Sequence, residues 1–137
     1  GLSDGGAHCG LICDASMPTW NVAHYTRDRV KGDKIPLEFL IRKQTKETAE
    51  TFGLMDRGQI KEGYLADINI IDHENLCVYK PEMVHDLPTG SRRIIQKAGG
   101  YIATIKSGVV TFKNDQATGE LPGTVLRGER TAEAISA

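Results

Sequence analysis

Ser3-Asp4-Gly5-Gly6-Ala7-His8 is the stretch of this chain whose residue types and spacing best suit chemistry. An apolar residue, a serine and an aspartate followed by small residues read as a strand running out into a tight loop. A carboxylate at such a strand end can bind a metal or take a proton. The glycines that follow let backbone approach a ligand closely, and Gly6 is the position where that approach would serve a substrate. Asp4 also has a plainer reading as the cap of the turn made by Gly5 and Gly6. His8 reads either as a substrate-facing residue or as a histidine packed in the loop.

Other candidates are weaker. Cys9 and Cys13 follow His8, but no second cysteine or histidine pair completes a zinc set. With Cys77 the cysteines number three, and the odd count argues against a disulfide framework and for reduced thiols. His85-Asp86 places a histidine beside a carboxylate, yet adjacent residues in extended chain point apart. Arg92-Arg93 could hold a carboxylate in a bidentate grip, or simply be solvated.

Composition narrows the classes. Of 137 residues, 39% are hydrophobic and 26% charged, which fits a soluble globular chain rather than a disordered one. The net charge of -1, with both signs interspersed, leaves no basic patch for nucleic acid. No apolar run reaches the roughly 20 residues that span a bilayer. Nucleic acid and membrane are therefore not expected partners, and a cytoplasmic setting is expected.

Several elements can be read from pattern. Pro18 suits the first turn of a helix over 17–31 that Gly32 would end. Leu37, Leu40 and Ile41 have helical spacing, and Ala49 and Phe52 extend it, so 36–44 and 46–52 read as two helices or one kinked helix stopped by Gly53. Thr45 is placed to cap the second. Ile68 and Ile70 alternate with Asn69 as a strand requires. Val78 and Tyr79 make a short strand, and 80–93, with two prolines and a glycine, reads as a surface loop. Tyr101 to Lys113 alternates on either side of Lys106-Ser107-Gly108, a hairpin, and Asn114-Asp115 starts another turn. Residues 121–127 read as a strand edge or an extended tail, and the last ten as frayed.

Taken in order, Ser3-Asp4-Gly5-Gly6-Ala7-His8, the helix of 35–52, and Gly58-Gln59-Ile60-Lys61-Glu62-Gly63-Tyr64-Leu65-Ala66-Asp67-Ile68-Asn69-Ile70-Ile71-Asp72 resemble the C-terminal end of the amidohydrolase superfamily. The stretch Pro81 to Pro88, with Gly90 and Arg92-Arg93, resembles its N-acyl-D-amino-acid deacylase branch. The resemblance covers roughly residues 1–128. It implies an α+β chain: the end of a metal-dependent (β/α)₈ hydrolase, with its last strand and following helices in 1–56, a portion of a small β-sandwich in 57–128, and a disordered tail in 129–137.

The resemblance also implies roles. Asp4 would be the catalytic carboxylate, moving a proton from metal-bound water to a leaving amine. His8 and Gly6 would face substrate. The substrate would be an N-acyl amino acid and the metal zinc, but the family's histidine and cysteine ligands lie earlier than this chain begins. The chain is therefore expected to be a C-terminal piece that binds no metal and is inactive by itself. The apolar sides of its helices (Trp20, Leu37, Leu40, Ile41, Phe52) point to a homo-oligomer. Two alternatives stand beside this reading: a non-catalytic, self-associating β domain, and a cyclic-amidase branch of the dihydroorotase or hydantoinase kind.

Overall fold

The computed structural model describes Ser3, Gly5 and residues 9–128. The tail expected over 129–137 lies outside the described residues. The chain folds as two compact units, each built from two separate stretches: Gly1–Lys34 with His73–Gly100, and Ile35–Asp72 with Tyr101–Ala137. The expected division at 56/57 follows roles in the resembled hydrolase, whereas these units follow contacts.

In the first unit a short 3₁₀ turn at Asp14–Ser16 leads into helix α1, Met17–Ala23, with Pro18 in its first turn. Pro18 costs nothing there because first-turn amides have no helical acceptor. The helix continues as a π turn, His24–Asp28, and Arg29 is extended, so the helical run stops short of the expected Lys31. Val22 and Ala23 are buried on this helix, and Leu76 is 1% exposed in the same unit. Burying a leucine side chain contributes about 1.5–3 kcal/mol.

Two small antiparallel pairs complete the unit. Strand β2, Cys77–Val78, pairs with β5, Ala98–Gly99. Strand β3, Glu82–Val84, pairs with β4, Arg93–Ile95. The expectation of an unbroken loop over 80–93 is corrected here. Pro81 precedes β3 and Pro88 falls in the connecting turn, so neither proline removes a ladder donor.

In the second unit, α2 is Leu37–Gln44 and α3 is Lys46–Thr51. They are two helices, because Thr45 between them leaves helical geometry. Thr45 does not cap α3 with its side chain. Its hydroxyl instead donates back to the Ile41 carbonyl at 2.7 Å, a common diversion of threonine on helices. Gly58, at φ +85°, carries the chain past this junction; a Cβ there would meet the Thr45 carbonyl at 3.0 Å.

The sheet of this unit has the order β1-β6-β7-β8, where β1 is Ile68–Ile71, β6 Tyr101–Lys106, β7 Val109–Lys113 and β8 Gln116–Ala117. All its pairings are antiparallel. The expected hairpin is present: Lys106 faces Val109 across Ser107 and Gly108, at φ +50° and +82°. Positive φ at both central residues gives the turn a twist that matches the strands. Asn114 and Asp115 repeat the device at φ +48° and +62°, where short polar side chains tolerate the left-handed region. Residues 121–127 form no strand.

Candidate functional site

Asp4, Gly6 and His8, the residues singled out for catalysis and substrate binding, lie outside the described residues. Their neighbours are described. The Gly5 N–H donates to the Ser3 carbonyl at 2.9 Å. A Cβ on Gly5 would sit 3.1 Å from the Ala15 Cβ. The loop residue after Asp4 therefore packs against the 3₁₀ turn that opens α1.

That turn borders a cavity of about 270 Å³. Its apolar lining is Met17, Trp20 and Val78, and its polar lining includes Asp14 and Asn21. Ser16 and Gln96, which also line it, are joined by a hydrogen bond from the Ser16 hydroxyl to Gln96 Oε1. Gln96 Nε2 in turn donates to the Tyr79 carbonyl at 2.9 Å.

The rest of α1 and its π turn is anchored to the loop before β2. Arg27 donates to the carbonyls of His73, Glu74 at 2.9 Å and Leu76 at 2.8 Å. The same guanidinium grips Asp28 at 2.6 and 2.8 Å. This hydrogen bond from Arg27 holds the Asp28 carboxyl below the usual carboxylate range. Thr26 Oγ1 meets His73 Nε2 at 2.7 Å. His24 stacks on Trp20, with ring centroids 4.5 Å apart.

Arg93 donates to both oxygens of Asp86 at 2.7 Å, across the β3–β4 connection. The fork that could have gripped a substrate carboxylate is occupied by Asp86, whose own carboxyl is lowered by this bond. Cys9, Cys13 and Cys77 are free thiols.

The second unit contains a charge cluster that sequence reasoning missed. Asp56 is fully buried, and Arg57 reaches its two oxygens at 2.9 and 3.2 Å. Arg57 also contacts Asp67 at 3.2 Å, and Lys106 Nζ reaches Asp67 at 2.9 Å. The Ser107 N–H donates to Asp67 at 2.9 Å, so Asp67 caps the hairpin turn and also forms two ion pairs. The Asp56 hydrogen bond raises the Arg57 pKa further. The signal available in sequence was Asp56-Arg57 beside a glycine turn, but the partner Lys106 lies too far along the chain to be paired by pattern.

Among the described residues no group of three or more His, Cys, Asp or Glu side chains could hold a metal ion. The described part of the chain therefore does not fit a zinc site. Also among the described residues, no helix is long and apolar enough to cross a membrane.

The profile of the amidohydrolase family matches residues 1–112. The chain belongs to the amidohydrolase family. This amidohydrolase chain is 33% identical over 105 residues to D-aminoacylase from Alcaligenes xylosoxydans xylosoxydans, covering 77% of the chain and 19% of that protein. It is 33% identical over 85 residues to dihydroorotase from Endomicrobium trichonymphae, covering 61% of the chain and 20% of that protein. The amidohydrolase chain thus spans about a fifth of the length of these curated relatives. No solved structure matches it significantly.

Proposed function

We propose that this chain serves a hydrolase that cleaves the amide bond of N-acyl amino acids, with the D-series first among them, and that Asp4 is its proton carrier. The observation that carries the reading is the 105-residue similarity to a D-aminoacylase, within a family match that includes Ser3-Asp4-Gly5-Gly6. On this reading Ser3-Asp4 stands at the end of the eighth strand of a (β/α)₈ barrel, where such folds keep their active sites. The sheet of the second unit belongs to a small β-sandwich.

Asp4 takes the proton released as water attacks the acyl carbon and returns it to the departing amine. The products are a carboxylic acid and a free amino acid. The family is generally metal-dependent, but the described residues supply no ligand set, so the chemistry assigned to this chain is proton transfer alone. The 137 residues by themselves are proposed to be inactive, to bind no zinc and to self-associate.

The test is Asp4→Asn in a polypeptide of the relatives' length that carries this chain. The substitution keeps size and removes the base, so turnover of N-acetyl-D-amino acids should fall by about 10²–10⁴. Undiminished turnover removes Asp4 from the mechanism. The dihydroorotase similarity favours a second reading: an unsubstituted enzyme that opens cyclic amides and leaves N-acyl amino acids intact would establish it, with Asp4 in the same role.

A further inference from the structure

The cavity bordered by the 3₁₀ turn before α1 has a composition that selects a ligand. Asp14 is the charged side chain on its wall, and it is exposed. The Ser16 hydroxyl and the Gln96 amide are committed to each other and to Tyr79. The Asp14 carboxylate and the Asn21 amide have no side-chain partner among the described residues. Met17, Trp20 and Val78 supply the apolar surface. A negative group above apolar walls complements a positive head on an apolar stem, the form of a lysine side chain. At about 270 Å³ the cavity is also just below the roughly 300–1,000 Å³ that holds a whole small molecule, so it accommodates part of one.

Its position ties it to the reaction. Asp14 and Ser16 flank Ala15, and Ala15 is the residue against which Gly5 packs. Gly5 is covalently next to Asp4. We infer that this cavity is a specificity subsite that takes the side chain of the substrate's amino-acid part and favours a cationic side chain on an apolar stem. This rests on the proposed role of Asp4. The amino-acid part is assigned because simple acyl groups carry no such cation.

Trp20 lines the cavity and is the one tryptophan of the 137-residue chain, so its fluorescence reports binding without turnover. Titration with N-acetyl-D-lysine should give a saturable change. N-acetyl-D-norleucine, nearly the same shape without the ammonium, should bind about five-fold more weakly, as expected for an exposed ion pair. Asp14→Asn should bring the two probes together, and Asp14→Lys should invert their order, with circular dichroism checking that each variant is folded. Equal binding of the probes by the unsubstituted chain, a lysine preference that survives Asp14→Asn, or no saturable change with either probe overturns the subsite. Turnover of the Asp4→Asn polypeptide is a separate readout from these titrations. Failure of the hydrolysis reading therefore shows in turnover, and failure of the subsite shows in binding.

Discussion

Arg57 closes on both carboxylate oxygens of Asp56, its immediate neighbour, while Asp56 itself is fully buried. Adjacent residues in extended chain point apart. The contact exists because the chain turns here: the Leu65 N–H returns to the Asp56 carbonyl at 2.9 Å, and Gly58 supplies a positive φ between them. Arg57 then passes the charge on to Asp67 and, through it, to Lys106 on the central hairpin. The pair thus ties the loop after α3 to the sheet of the same unit.

Removing one partner of a buried ion pair strands the other. Asp56→Ala should destabilise the second unit by about 3 kcal/mol, read as a lower urea midpoint for a probe in that unit. Lys106→Met removes only the half-exposed outer member of the cluster and should cost less, near 1 kcal/mol. Equal midpoints for Asp56→Ala and the unsubstituted chain would remove the cluster from any account of stability.

Gly100 is held at φ +96°, and a Cβ there would lie 2.8 Å from the Leu76 Cα. Both the left-handed backbone and the contact with main-chain atoms oppose any side chain. Gly100→Ala should cost about 1–3 kcal/mol from backbone strain alone, with displacement of the buried Leu76 adding to it. By contrast, Gly123→Ala, where the added Cβ meets nothing within 4 Å at a position without positive φ, should be nearly silent. Thermal melts of the two variants make the comparison.

Acid should loosen the first unit through two arginine–aspartate pairs. Asp28 and Asp86 have carboxyls held below the usual range by hydrogen bonds from Arg27 and Arg93. A carboxyl with a depressed folded-state pKa stabilises the fold above its unfolded pKa, about 3.9. That contribution is lost as pH falls through the folded-state value. Melting temperature should therefore decline below about pH 4. The decline should be shallower in Asp28→Asn with Asp86→Asn, which has nothing left to protonate at those positions. Both groups are exposed, so the effect should be small and weaken with added salt. An identical acid limb in the double variant would show that these pairs carry none of it.

Self-association is expected from the exposed apolar side chains of the helices and the segments that follow them. Trp20 is 46%, Phe39 44% and Phe52 74% exposed. Within each unit, exposed large apolar side chains of this kind supply surface for contact with a second copy. Light scattering of the purified chain should report a dimer or larger, and Phe52→Lys should shift it toward monomer. A stable monomer at high concentration, binding no hydrophobic dye, would count against this.

The sequence by itself determined the local elements. Periodicity located α2 and the β6–β7 hairpin, and Ser107-Gly108 and Asn114-Asp115 marked turns whose backbone angles only a few residue types adopt. The ordered motifs also led to the family, because those stretches are short and contiguous. Where prolines were counted without knowing which amides a strand would need, the reading of 80–93 as loop failed. Only the tertiary structure decided the rest. It brought Gly5 against Ala15, closed the cavity between α1 and Gln96, spent Arg93 on Asp86, and joined Asp56 and Arg57 to Lys106. Each of these joins residues far apart in the chain or set by a turn's exact path. Local propensity acts over a few neighbouring residues, whereas burial and charge pairing act through space once the backbone has already been folded.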